Sequence, residues 1–250
     1  LMSTHRMGFV NMNTFKKLLL LVLAAPAVAM ASSAVHLDKA PYDLNDKASL
    51  QRGAKTFVNY CLNCHSASYM RYNRLKDIGL TDDQIKDNLL FAAEKVGQTM
   101  DVAMSKKDAK EFFGATPPDL TVIARSRGAD WLYTYLRGFY RDDTRPTGWN
   151  NAVFDKVGMP HVLYAMQGEQ VMHVEKHGEH ETKHLVLAKA GTMTTPEYDA
   201  SVADLVNYLV YMGEPAQQTR MRLGVFVLLF LGVFFIIAYY LKKEFWKDIH

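Results

Sequence analysis

From Leu223 to Leu241 the chain carries no charge. About 19 residues at 1.5 Å rise per residue match the hydrocarbon thickness of a bilayer, and in lipid a single segment satisfies its own backbone only as a helix. Arg220 and Arg222 precede the run, Lys242 and Lys243 follow it, and Tyr239, Tyr240 and Trp246 stand where interfacial aromatics belong. A core helix is the competing reading, but core helices are rarely so uniformly apolar. The run therefore predicts a transmembrane helix over residues 220–242, with a short tail over 243–250.

A second apolar run, Leu18 to Val28, is shorter. Lys16 and Lys17 precede it and Ala29-Met30-Ala31 follows it. A basic start, a brief apolar stretch and an A-x-A site read as a secretory signal peptide, with a retained anchor as the alternative. Met12 is itself a good leader start, so residues 1–31 divide into an upstream extension and a signal peptide, with cleavage expected near Ala31. Residues 32–219 then form an exported domain. The leader is not of the Arg- and Ser-rich organellar type, so the expected location is a bacterial inner membrane, with the domain in the periplasm and the C-terminal tail in the cytoplasm. The formal charge of +3 resides largely in the leader and the membrane flanks, leaving the exported part slightly acidic. That disfavours nucleic acid and favours a basic soluble partner, for which Asp82, Asp83, Asp142 and Asp143 are candidate contacts.

Local patterns outline a mainly helical domain. Leu50, Ala54, Phe57, Val58 and Cys61 share one face of a helix between Tyr42 and Cys61. Thr81 and Gln84 form a capping box for a helix through about Ala93. Lys106 to Pro118 reads as a loop. Trp131, Leu132, Tyr135, Leu136 and Phe139 mark a helix ending near Gly138 or Tyr140. Arg141 to Pro160, rich in Gly, Pro, Asn and Asp, reads as an extended loop. Val171 to His184 and Leu185 to Lys189 suggest a short hairpin. Thr194 and Glu197, with Pro196 between them, open a helix whose buried stripe is Val202, Leu205, Val206, Leu209 and Met212, stopped by Gly213 and Pro215.

The chain has two cysteines, and they stand together as Cys61-Leu62-Asn63-Cys64-His65. This is the C-x-x-C-H haem c attachment pattern. Two thiols one helical turn apart can each form a thioether with a haem vinyl group, and His65 is then held beneath the iron as an axial ligand. A structural disulfide, a thioredoxin-like dithiol and half of a zinc site are the competing readings. No βαβ pattern and no second cysteine pair support the last two. An electron-transferring haem needs a sixth ligand, and a methionine thioether favours the ferrous state. Met159, between Gly158 and Pro160 in a loop, is the leading candidate, with Met100, Met104, Met166 and Met193 as rivals.

Around this motif the residues resemble those of the cytochrome c1 family. Cys61 to Ser66 with Tyr69 to Leu75 is similar to that family's haem segment. Pro117-Pro118-Asp119-Leu120 with Arg125 resembles its P-P-D-L segment and downstream arginine, and Val157-Gly158-Met159-Pro160 its sixth-ligand loop. Glu214-Pro215, Arg220 and the apolar span resemble its C-terminal end. The resemblance extends from about Tyr42 to His250. It implies a cytochrome c-like helical fold with insertions, one covalent haem c, His65 and Met159 as iron ligands, Arg125 on a haem propionate, Pro117 and Pro118 against the haem, and Trp131 near the propionates. It also implies an electron received from a Rieske iron–sulfur subunit and passed to a c-type cytochrome. The membrane helix would lie beside cytochrome b within a dimeric quinol–cytochrome c reductase. Phe112 to Thr116 lacks the asparagine that the family often has before P-P-D-L, so no haem contact is assigned there.

Two other readings stay open: an anchored cytochrome serving a different oxidase or reductase, and a haem sensor with an open sixth position. No nucleophile motif or phosphate loop stands out, so no bond-making chemistry is assigned. His173, His177, His180 and His184, interleaved with Glu175, Glu179 and Glu181, read as a solvated hairpin tip, the alternative being a zinc or copper site.

Overall fold

Asp46 starts the first helix by accepting the Ser49 N–H at 3.0 Å. In the computed structural model, which describes residues 35–177 and 180–248 and the side chains outside 176–181, this helix, α1, covers Lys47–Thr56. It buries Ser49, Leu50, Gly53 and Ala54 along one face. The chain then widens into a single π turn over Phe57–Cys61, where the Leu62 N–H reaches the Phe57 carbonyl at 3.0 Å. The expected helix is thus present from Lys47 on, while the residues ahead of it form a turn. The leader over residues 1–31 lies outside the described residues.

The long helix α7, Thr195–Gly213, begins with the expected capping box between Thr194 and Glu197. Its predicted stripe, Val202, Leu205, Val206, Leu209 and Met212, is buried throughout. Helix α1 crosses α7 with Gly53 at the contact: a Cβ there would lie 2.0 Å from the Asp204 carbonyl oxygen. Close approach brings the Phe57 and Tyr208 rings to 5.6 Å between centroids. It also lets the Asn207 amide donate to the Asp43 carbonyl at 2.8 Å and to Ser49 Oγ at 2.9 Å. Arg52 adds a forked pair onto Asp204 at 2.6 and 3.0 Å.

Between these helices lie shorter elements. Strand β1 (Ala67–Arg71) pairs antiparallel with β2 (Thr99–Met100). Helix α2 spans Asp82–Asn88 behind the predicted capping box. It stops short of Ala93 because Asn88 turns its amide onto the Gln84 carbonyl and Gln98 draws in the N–H groups of Glu94 and Lys95. The loop expected over Lys106–Pro118 is instead largely helical: α3 covers Lys106–Phe113, capped by Ser105 and ended by Gly114 at φ 74°. Helices α4 (Ile123–Arg127) and α5 (Ala129–Arg137) follow, the latter ending at Gly138 as expected. Helix α5 docks on α7 through Arg137, which forks onto Asp199 at 2.6 and 3.0 Å, and through the Tyr198 hydroxyl on the Leu136 carbonyl at 2.9 Å.

The loop after α5 contains one ribbon, β3 (Phe139–Arg141) with β4 (Trp149–Asn151). A one-turn helix α6 (Tyr164–Gln167) leads into a hairpin of β5 (Gly168–His177) and β6 (His180–Ala190). The reversal falls between His177 and His180 rather than between His184 and Leu185. Helix α8 runs Gln217–Phe245, 29 residues, long and apolar enough to cross a membrane and exposed along its length. Only Glu214, Pro215 and Ala216 separate it from α7.

Candidate functional site

The π turn delivers Cys61 to the core side of α1, where it is buried, and the backbone tightens immediately afterwards. The N–H groups of Cys64 and His65 both donate to the Cys61 carbonyl, at 3.1 and 2.9 Å. Both thiols and the imidazole are therefore carried by one turn. The two sulfurs are not joined to each other, Cys61 being buried and Cys64 half-buried, so the disulfide alternative is not realised. Burial, with Cys64 alongside, pushes the Cys61 thiol up to about 12, and burial also raises Cys64. These are uncharged thiols, suited to an apolar partner rather than to thiolate redox exchange.

His65 is held by its surroundings. Its Nδ1 lies 2.8 Å from the Pro118 carbonyl oxygen, an acceptor, which fixes Nδ1 as the protonated nitrogen and leaves Nε2 with a lone pair. Burial lowers the imidazole's proton affinity, partly offset by the Pro118 hydrogen bond and the Asp119 charge, so the ring is neutral near pH 7.

The segment 118–121 is laced onto 65–69. Besides His65 on Pro118, the Leu120 N–H donates to the Ser66 carbonyl at 2.9 Å, and the Ser68 N–H donates to Asp119 Oδ2 at 2.8 Å. Thr121 donates its N–H and its hydroxyl to Asp119 Oδ1 at 2.8 and 2.6 Å. Partial burial raises the Asp119 carboxyl, but the Thr121 and Ser68 hydrogen bonds outweigh it and hold it below the usual carboxylate range. Pro118, expected to serve as packing, here contributes its carbonyl, and Asp119 is the organising side chain that sequence reasoning passed over. The Asp-x-Thr pattern of an Asx turn was its available signal.

Met159 sits half-buried against the main hydrophobic core, and the Tyr135 hydroxyl lies 3.4 Å from its Sδ. Its loop is entered through Lys156 at φ 59°, the one non-glycine with positive φ among the described residues. The Lys156 N–H donates to Asn150 Oδ1 at 2.9 Å and its carbonyl accepts from Arg145 at 3.1 Å. One turn before Tyr135, Trp131 stacks on it at 4.7 Å, with the Arg127 guanidinium 5.0 Å above the indole. Pro117 is half-buried, whereas Arg125 is exposed, its stem lying against Gly213 at the end of α7. Of the rival methionines, Met100 is fully buried and receives the Tyr208 hydroxyl at 3.7 Å, and Met166 is buried too, as core residues would be. The acidic docking candidates are largely engaged locally: Asp82 pairs with Lys76 at 3.1 Å, Asp83 lies 3.8 Å from Lys86, and Asp142 accepts from Thr144 and Asn150.

The two cysteines and His65 on one turn are the residue types that attach a haem c, and His65 Nε2 and the Met159 thioether are ligand types that a haem iron accepts. The set does not suit zinc, whose structural sites want four nitrogen or thiolate donors.

Comparison with known proteins agrees with this chemistry. The Cytochrome C1 family matches residues 37–249. A protein of Allochromatium vinosum named cytochrome c1 is 51% identical over 92% of this chain and 96% of its own length. A Nitrosomonas europaea protein named ammonia monooxygenase gamma subunit is 56% identical over 96% of this chain and all of its own. The cytochrome c1 of Rhodospirillum rubrum is 29% identical over 82% of this chain and 83% of its own length.

Proposed function

Because the chain belongs to the cytochrome c1 family, we propose that it carries one haem c, covalently attached through Cys61 and Cys64, and relays single electrons. It is an electron-transfer subunit of a bc1-type complex and not an enzyme on its own. The bound haem supplies a one-electron ferric–ferrous couple. The protein's own residues do the rest. Cys61 and Cys64 fix the group on a single turn. The Pro118 carbonyl keeps His65 protonated at Nδ1, which leaves the Nε2 lone pair to ligate the haem iron when haem is bound. Met159 would supply the thioether ligand, and the Tyr135 hydroxyl, which donates to that sulfur, would tune it. Arg125 would neutralise a propionate, Trp131 would pack near it, and Pro117 and Pro118 would pack against the haem. The observation that carries this reading is the 2.8 Å contact between His65 and Pro118 beside two free thiols.

In the same reading the haem domain, residues 32–219, lies in the periplasm, residues 220–242 cross the bacterial inner membrane and residues 243–250 face the cytoplasm. The Rieske iron–sulfur subunit donates, a c-type cytochrome accepts, cytochrome b flanks the membrane helix, and the complex is dimeric. The name of the Nitrosomonas relative motivates the second reading, an anchored cytochrome serving a different oxidase or reductase. The deciding experiment is mild detergent purification from native membranes through a C-terminal tag, with redox difference spectra of the eluate. Co-purifying b-type haem and a Rieske cluster support the reductase. Haem c arriving alone, or with an ammonia-oxidising enzyme or an oxidase, would reject it.

A further inference from the structure

The β5–β6 hairpin shares no residue with the site above, yet it gathers a second set of ligand-type side chains. Backbone register pairs His173 directly with His184, and Glu175 lies two residues along β5, on the same face of the ribbon as His173. The two imidazole rings are 5.4 Å apart between centroids and tilted by 30°. His184 Nε2 is 3.8 Å from Glu175 Oε1, and one ligand atom from each of the three residues lies within 4.8 Å of the others. We propose that His173, Glu175 and His184 bind a divalent transition-metal cation of the zinc type, which pins the two strands together.

The geometry is close to what such an ion needs. Metal–ligand bonds of about 2.0–2.1 Å in a tetrahedron separate the donors by roughly 3.3 Å. All three residues are exposed, so closing the present separations to that distance displaces no core packing. Two imidazole nitrogens and one carboxylate oxygen select zinc or its neighbours over calcium and magnesium, which take oxygen ligands. The fourth position is left for water. The sequence had suggested a merely solvated tip. Two imidazoles facing each other on an exposed ribbon contribute little by themselves. Such a pair becomes favourable when both rings share one cation.

The test uses the full-length, haem-loaded, untagged protein in detergent, stripped of metal by dialysis. Zinc is titrated at pH 7.5 against a chromophoric chelator. One zinc per chain is expected, weakened at least about tenfold in His173→Gln and in His184→Gln. Zinc should also raise the melting temperature of the parent protein but of neither variant, while the haem spectrum stays unchanged in all three. A His177→Gln/His180→Gln double variant should retain the site. Absence of a stoichiometric site in the parent protein, undiminished affinity in both single variants, or loss confined to the double variant would each overturn the proposal.

Discussion

Replacing Gly53 with alanine probes the packing on which the haem motif rests. The added Cβ would stand 2.0 Å from the Asp204 carbonyl oxygen, 2.7 Å from its carbon and 2.7 Å from the Tyr208 Cβ. Two of these neighbours are backbone, so no side chain can swing aside, and α1 and α7 must part by more than about 1 Å to reach ordinary contact. Overpacking of this kind costs up to about 3 kcal/mol. Alanine's better helix propensity returns about 1 kcal/mol, since Gly53 lies within α1. The net loss is about 2 kcal/mol, or roughly 4–8 °C in melting temperature for a domain of this size. The assay is thermal unfolding of the haem-loaded protein in detergent, followed by circular dichroism. Gly97→Ala is the control, because a Cβ there meets nothing within 4 Å, and it should change stability by less than about 0.5 kcal/mol. If Gly53→Ala melts with the control or above it, the close crossing of α1 on α7 is refuted.

Three further outcomes are expected. Asp119→Asn should destabilise by about 1–2 kcal/mol through weakened hydrogen bonds to Ser68 and Thr121. Because the folded state holds this carboxyl below its unfolded value of about 3.9, its contribution is present above pH 4 and disappears as pH falls through the folded pKa. The variant's melting temperature should accordingly fall less than the parent's on acidification in that range, and parallel acid limbs would refute the assignment. Met159→Leu should let the reduced protein bind carbon monoxide, seen as a shift in the haem spectrum; binding by the unsubstituted protein would mean an open sixth position. Lys156→Gly should stabilise by about 0.5–1 kcal/mol, since φ 59° disfavours any residue with a Cβ; a lower melting temperature would show that the lysine side chain matters more than its backbone.

Legibility in the sequence followed physical cause. Helix α7 was readable in detail because one face is fully buried, so burial imposes a strict period on Val202, Leu205, Val206, Leu209 and Met212. Helix α3 was not, because it buries only Ala109 and the rest of its surface meets solvent. Ser105 and Gly114 were its only marks. The hairpin's reversal was misplaced for the same reason: an exposed ribbon has no core to enforce alternation, and no Asn-Gly pair sits at its tip. At the site, Cys61, Cys64 and His65 were legible because the C-x-x-C-H pattern lies in residue identity and spacing. The Pro118 carbonyl did not, since a backbone acceptor leaves no trace in residue identity and its partner is 53 positions away. Tyr135 likewise looked like one more member of an apolar stripe until its hydroxyl was found beside Met159.

The link of Glu214, Pro215 and Ala216 between α7 and α8 sets a limit on movement. Three residues reach at most about 10 Å even when extended, and the Glu214–Arg220 ion pair at 2.5 Å ties the start of this link to the first turn of α8. Helix α7 is the one on which α1 and its cysteine turn are packed. The Cys61–His65 turn is therefore moored, like a lamp on a short post, to the helix that is long and apolar enough to cross a membrane. Under the proposed function, electron partners that lie apart must come to this domain, because a tether this short cannot carry it from one to the other.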